Sequence, residues 1–376
     1  MSILDAEPAP LALDPIQRLT RDLKLAALTL SPGEARFLVD YYYVTQEHRK
    51  ATYNQERSLV ASEEPHEVIS WLAHQTETLE HQILRALDSW TDGQELGRWC
   101  KQITGIGPVI AAGLLAHIDI TKCPTAGNIW SFAGLNPSVE WLGTERAEEL
   151  VKAVCTGKEV TAEELAVIAS KVNRKTANIR RLAEDEQGRI TPKSLAAALA
   201  KRPWNTPLKR LCWLISESFV KVQNNPKDFY GKLYAERKVA EWGRDLSGEY
   251  AERAQETLKK KRIGKTTEAY RWYSGGYSVP DDYEYLGGRP ELPGATDGDG
   301  QPMLPPDHIH SRSKRWVVKL FLSHYHLVAY WVHHGKLPPK PYVITYMNHS
   351  DMILPPNTES IPGLHAALKK WEASGP

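Results

Sequence analysis

The sequence predicts a mainly α fold: a long helical hairpin, followed by a helix-hairpin-helix-containing helical domain that carries a small helical insert. Three observations predict it. Apolar residues recur at three- and four-residue spacing, as in Leu23, Leu25, Leu28, then Phe37, Leu38, Tyr41, Tyr42, then Val68, Leu72, Leu79, Ile83 and Leu87. Between Leu19 and Trp90, Gly33 is the sole glycine. Helix-start signatures punctuate the chain at Ser31-Pro32-Gly33-Glu34 and Thr161-Ala162-Glu163-Glu164. The one β-like stretch is Tyr342-Val343-Ile344-Thr345-Tyr346.

Each element follows in order. Residues 1–18 form a disordered leader. Residues 19–98 form the helical hairpin, broken at Glu64-Pro65-His66, with Gln46, Arg49, Asn54, Gln55 and Arg57 on its wet side. A two-helix unit buries little surface alone, so this hairpin is expected to dimerise. Residues 99–143 carry the helix-hairpin-helix. Residues 144–200 contain no Trp, Tyr or Phe and read as a helical insert. Residues 201–275 return to basic, aromatic-rich helices. Residues 276–306 are dense in Gly, Pro and Asp and form a loop. Residues 307–376 hold a C-terminal helix to about His334 and an irregular tail, with Trp316, Tyr325, Tyr330 and Trp331 in the core.

Composition narrows the function classes. The chain has 376 residues, 41% hydrophobic and 25% charged, which fits two or three globular domains. No apolar run approaches the roughly 20 residues that span a bilayer, so no membrane association is expected. The Pro-rich, acidic start has neither the basic end nor the apolar core of a secretory signal. Cys100, Cys123, Cys155 and Cys212 are far apart with no C-x-x-C spacing, which favours a reducing cytoplasm over a disulfide framework or zinc site. Net charge is +1, yet residues 201–262 hold 15 Lys and Arg against 8 Asp and Glu. Such a local excess is the electrostatic footprint of a nucleic-acid binder, or a solvated helical face.

The segment from Trp99 to Ala116 carries the chemistry. Gly105-Ile106-Gly107 joins two helices in a tight turn, and Pro108 opens the second where no amide donor is needed. The free amides there suit a phosphate oxygen. Thr104, Gly105, Ile106 and Gly107 are therefore candidate nucleic-acid contacts of the backbone-reading kind, the alternative being a packed structural hairpin. Lys201, Arg202, Asn205, Lys209 and Arg210 form a second candidate set, and Arg312, Lys314 and Arg315 a third. In the insert, Leu165 to Ala183 fits a helix-turn-helix register. Ala169 lies at the helix crossing, Val172 in the core, Asn173 at a left-handed turn, and Ile179 and Leu182 anchor the second helix. A recognition helix from about 175 to 184 would present Lys175, Thr176, Asn178, Arg180 and Arg181; the alternative is a plain helical insert. His308 and His310, like His324 and His326, diverge on a helix and point to polar packing rather than a metal, so no metal or cofactor is expected. Ile263-Gly264-Lys265-Thr266-Thr267 lacks the upstream glycines of a phosphate loop.

Two blocks resemble a known family. Gly105-Ile106-Gly107-Pro108, the Ala112-Gly113-Leu114-Leu115-Ala116 helix, Asp119, and Ile129-Trp130-Ser131-Phe132-Ala133-Gly134-Leu135-Asn136-Pro137 form the first. Lys201-Arg202-Pro203-Trp204-Asn205-Thr206-Pro207-Leu208-Lys209-Arg210 forms the second. Together they resemble the C-terminal domain of the one-ten family of insertion-sequence transposases, over roughly 99–141 and 201–225. The resemblance implies DNA transposition with an RNA guide of the bridge type. In the family, a RuvC-like nuclease half bearing four acidic residues is paired with a C-terminal domain that supplies a nucleophilic serine.

This sequence departs from that pattern twice. About 98 mainly helical residues precede the hairpin, leaving no room for the nuclease half. The family's Ser-Gly pair has no clear counterpart; Ser138 is the nearest hydroxyl, and as a helix cap it would have no catalytic role. The expectation is a protein that keeps the binding scaffold, with DNA as partner, structured RNA as an alternative, and a homodimeric state. An active recombinase cutting DNA with a serine nucleophile and using Mg2+ is the second reading. A structural or interaction protein of a phage or mobile element is the third.

Overall fold

The computed structural model describes residues 18–258, 266–273, 300–339 and 353–373. Most of the leader, the Gly-Pro-Asp-rich stretch over 276–299, residues 263–265 and the Tyr342–Tyr346 stretch lie outside the described residues. The fold is mainly helical, and no strand occurs among the described residues. The chain divides into two units: residues 1–102 with 106–119, and residues 103–105 with 120–376.

The first unit contains α1 (Arg21–Ala27), α2 (Pro32–Ala61), α3 (Glu67–Asp92), α4 (Glu95–Lys101) and α5 (Pro108–His117). Ser31 starts α2 with a full capping box: its hydroxyl accepts from the Glu34 amide, and the Glu34 carboxylate accepts from the Ser31 amide at 2.7 Å. The chain reverses at Glu63, whose backbone is left-handed, so α2 and α3 form a hairpin. Small residues make its seam. Ala35 and Val39 of α2 pack with Ile83, Leu87 and Trp90 of α3 and with Val109, Ala112 and Ala116 of α5. Close helix approach by these small side chains leaves bulkier ones outside: Leu23, Leu25, Leu28, Phe37 and Tyr41 are exposed, Phe37 by 65%. The wet side also differs from expectation at Arg49, which reaches inward to the buried Glu80 at 2.6 Å. Helix α5 is apolar on every side and accordingly buried along most of its length.

The second unit contains α6 (Ala126–Phe132), α7 (Gly143–Val154), α8 (Ala162–Lys171), α9 (Thr176–Ala183), α10 (Pro192–Ala200), α11 (Thr206–Val222), α12 (Tyr230–Leu246), α13 (Ala251–Leu258), α14 (Glu268–Tyr273), α15 (Pro306–His334) and α16 (Leu364–Ala373). Helices α11, α12 and α15 meet in an aromatic core, where Phe219 stacks on Tyr230 at 4.8 Å and Phe321 meets both edge-on. Helices α7 to α10 close a separate core of Ala147, Val151, Leu165, Ile168, Leu195 and Leu199, among others. Along α15, Tyr325 is fully buried, while Trp316, Tyr330 and Trp331 are only half-buried.

The four histidines singled out on α15 do not share a site. His324 is buried, with Nε2 against the Ile353 carbonyl at 2.7 Å and Nδ1 against the Tyr230 hydroxyl at 2.8 Å. A carbonyl only accepts, so Nε2 carries the proton and Nδ1 accepts from Tyr230. His310 Nδ1 meets the Tyr234 hydroxyl at 2.6 Å, and His326 Nε2 donates to the Cys123 carbonyl at 2.8 Å. His308 is half-buried. Burial pushes His324 down to about 4 and, with the neighbouring Lys314 and Lys238, His310 down to about 4 as well. An unfolded chain, with histidine near 6.5, binds these two protons first as pH falls. Stability is therefore full above about pH 6.5 and is lost progressively between there and about pH 4, at up to roughly 1.4 kcal/mol per pH unit per group. Urea unfolding at pH 7, 6, 5 and 4.5 checks this: His324→Gln should flatten the decline, and a pH-independent midpoint over that window contradicts it.

Candidate nucleic-acid interface

The turn after α4 requires glycine at 105 but not at 107, whose backbone is extended at φ −88°. Gly105 sits at φ +94°, and a Cβ there would come within 3.1 Å of the Ser218 hydroxyl oxygen and 3.3 Å of Val222. Residues 103–105 are thus fixed in the second unit: Ser218 donates to the Gly105 carbonyl at 2.6 Å, and Thr104 donates to the Lys227 carbonyl at 3.2 Å. In the first unit, Ile106 is buried, Gly107 is exposed as the residue before α5, and Pro108 takes the first helical position. No side chain caps that start, and Pro108 has no N–H to cap; the next residue, Val109, is buried. Glycine at 107 has nothing within 4 Å of where a Cβ would stand.

The basic residues separate into two groups in the second unit. In one, carboxylates match the cations. Arg312 Nε donates to Glu241 at 2.6 Å, and its guanidinium lies 4.3 Å over the Tyr250 ring. Glu241 is 1% exposed and also holds Arg237 and the Tyr250 hydroxyl. Those donors keep its carboxyl below the usual range although burial alone would raise it. Lys314 pairs with Glu217.

In the other group, no acid among the described residues answers. Lys209 sits over Trp204, 3.7 Å from the ring, and Arg202 over Trp141 at 5.0 Å. Lys319 lies 5.2 Å from the Trp130 ring, whose indole N–H donates to the Lys319 carbonyl at 3.0 Å. Gly134 makes the assembly fit: at φ +67°, with a Cβ that would lie 2.7 Å from Trp204, it lets the indole lie directly on the backbone after α6. Burial, then the charge of Arg202 and Arg315, holds the Lys209 ammonium below its ordinary range. Burial, then Arg253 and Arg312, does the same to Arg315, and burial, then Arg315, to Lys319. Arg315 is exposed, and Lys209 and Lys319 are half-buried. Among the described residues, none of Arg202, Lys209, Arg315 and Lys319 forms an ion pair with a carboxylate. Such cations gain from a bound anion in the way that opposite charges restore each other's ionised form.

The other candidate positions have mixed roles. Asn205 is half-buried and caps α11 with its side-chain oxygen, 2.8 Å from the Leu208 amide. Lys201 and Arg210 are exposed. Lys175, Thr176, Asn178, Arg180 and Arg181 are exposed on and just before α9, and Asn173 takes the left-handed turn at φ 49°. Leu182 is exposed, whereas Ala183 is buried beside Ile179. The second anchor is one position on because it follows Ile179 by four residues, the spacing of one helix face. Ser138 caps no helix. Its hydroxyl and amide both turn onto the Asn136 side-chain oxygen, at 2.8 and 3.1 Å, in an exposed loop. It lines a cleft of about 460 Å3 with Glu140, Arg146, Glu149, Lys171 and Asn173, which contains no histidine. An amide oxygen is not a base, so this contact does not activate a nucleophile. Among the described residues, no three His, Cys, Asp or Glu gather as metal ligands.

Sequence reasoning missed Lys319. It lies four residues beyond Arg315 on α15, and that helical spacing was the available signal.

Residues 98–181 match the family model described as Transposase IS116/IS110/IS902 family. Over that segment the chain is similar to the C-terminal domain of these transposases, as the Gly-Ile-Gly-Pro turn and the Gly-Leu-Asn-Pro element imply. No curated protein and no solved structure matches the chain. Among the described residues, no helix is long and apolar enough to cross a membrane.

Proposed function

We propose that this transposase-like protein binds DNA through its sugar–phosphate backbone. The observation that carries the reading is the group Arg202, Lys209, Arg315 and Lys319, whose charges no carboxylate among the described residues matches and which stand among Trp130, Trp141 and Trp204. Phosphodiester oxygens supply the missing negative charge, and the exposed Trp141 indole offers stacking surface to an unpaired base.

Fluorescence anisotropy with a labelled 20-base-pair duplex tests this. Four phosphate contacts correspond to a log–log salt slope of about −3 to −4. Affinity should therefore drop on the order of 100-fold between 50 and 200 mM salt. No binding at 50 mM salt, or binding indifferent to salt, overturns the reading. Preference for a structured RNA over the duplex would move the ligand class instead. The exposed Phe37, Tyr41 and Val44 at helical spacing on α2, with Phe37 and Tyr41 stacked at 5.9 Å, support self-association through the hairpin. Sedimentation velocity should show a dimer that Phe37→Glu converts to monomer; a monomeric parent protein contradicts it.

A further inference from the structure

The insert formed by α7 to α10 is packed around its own core, and only one stripe of α9 contributes to that core. Ile179 and Ala183 are buried, while every other residue of α9 is exposed. At about 100° per residue, Ala177, Asn178 and Arg181 lie on the side opposite that stripe. Helix α8 leads into α9 through a four-residue turn in which Val172 is buried and Asn173 adopts φ 49°. The Arg174 amide closes that turn by donating to the Ala169 carbonyl at 3.0 Å.

The turn is clamped from outside the insert. Asn173 Nδ2 donates to the Ser138 carbonyl at 3.1 Å, and Arg174 donates to the Glu140 carbonyl at 3.2 Å. The Asn173 amide and one Arg174 guanidinium nitrogen thus hold the start of α9 in place, while Arg174 Nε is buried without a partner. The residues beyond them are uncommitted. Among the described residues, the side chains of Lys171, Lys175, Thr176, Asn178 and Arg181 make no hydrogen bond and no ion pair. Arg180 lies 3.8 Å from Glu184.

Charge is sorted along the same axis. From Leu165 to Ala183 there are five cations, Lys171, Arg174, Lys175, Arg180 and Arg181, and no acid; Glu184, Asp185 and Glu186 follow directly. The N-terminal end of α9 is therefore the positive end, through its side chains and its helix dipole alike.

We propose that α9 is a recognition helix that reads base edges in the major groove of duplex DNA, with Asn178 and Arg181 on the bases and Lys171 and Lys175 on the flanking phosphates. An exposed helix of this diameter fits that groove. Asn and Arg are the side chains that pair in bidentate fashion with adenine and guanine, and the small Ala177 on the same side of the helix allows close approach. This inference rests on the DNA-binding reading above and adds sequence preference to it. The cations around Lys209 hold any duplex; α9 would choose among duplexes.

The test is selection of the full chain on a randomised 20-base-pair duplex pool, followed by affinity measurement on the enriched and unselected duplexes. The parent protein should enrich a short motif. Asn178→Ala/Arg181→Ala should lower the ratio of motif to unselected affinity about 10–100-fold, the loss of one or two bidentate base contacts, while circular dichroism stays unchanged. Arg181→Lys keeps the charge and should still lose most of the preference for its base, which a purely electrostatic role would not produce. Enrichment of no motif by a protein that does bind duplex overturns this inference and leaves the backbone-binding reading standing, as does an unchanged motif in the double variant. Failure to retain any duplex at 50 mM salt overturns both.

Discussion

Replacing Lys209, Arg315 and Lys319 together by alanine should lower duplex affinity on the order of 100-fold at 100 mM salt and make the log–log salt slope shallower by about 2 to 3. Each phosphate-contacting cation contributes roughly one unit of slope and about 1 kcal/mol. The matched comparison is Lys314→Gln. Lys314 adjoins Arg315 in sequence, yet its charge is already answered by Glu217, so its loss should change affinity less than threefold. Equal effects of the triple variant and Lys314→Gln would show that general charge, and not this group, holds the duplex. Because the three residues are exposed or half-buried on helix surfaces, the unfolding midpoint should stay near that of the parent protein.

The largest stability loss should come from Glu241→Ala. Glu241 is almost fully enclosed and holds Arg237, Arg312 and the Tyr250 hydroxyl at once. Removing one member of a buried ion group leaves partners without compensation and costs about 3–5 kcal/mol. Arg312 also donates to the Tyr250 hydroxyl at 3.1 Å, so it retains one partner and the cost falls toward the lower figure. Glu241→Met/Arg312→Met should recover part of the loss, since a paired replacement leaves fewer orphaned charges. Urea unfolding of the two variants decides the point. A double variant less stable than Glu241→Ala contradicts this account of the cluster.

These two variants also mark where the sequence was legible. Local signals were strong wherever a few neighbouring residues decide the outcome. The capping boxes at Ser31 and Thr161, Pro108 at the first position of α5, and the left-handed Asn173 all depend on residues within one turn. The helical class followed from spacing for the same reason. The apolar face of the hairpin was less legible, because Phe37 and Tyr41 share helical spacing with Ala35 and Val39. Spacing alone does not say that small residues take the seam.

The charge map was least legible. The run Arg312, Lys314, Arg315 looks uniform, but its members differ through partners 71 and 97 residues away, Glu241 and Glu217. Those contacts commit two of the three and leave Arg315 beside Lys209 and Lys319. Asn205 likewise fits a polar contact in sequence and serves as a helix cap in the fold. The Ser138 loop gave no signal beyond its hydroxyl, which serves a local turn, while its carbonyl accepts from Asn173, 35 residues on.

Amine acetylation of the full chain, read by mass spectrometry at single lysines with and without duplex, tests the central claim most directly. Lys209 and Lys319 are depressed below the ordinary lysine range, first by burial and then by neighbouring cations, so each holds a larger neutral fraction and reacts readily when free. A phosphate beside them restores the ammonium form and covers it, while Lys24 and Lys50, exposed on α1 and α2, serve as references. The account predicts that duplex slows modification at Lys209 and Lys319 several-fold more than at those references, with the difference erased by 500 mM salt. Unchanged rates at Lys209 and Lys319 under conditions where the duplex is bound would contradict it.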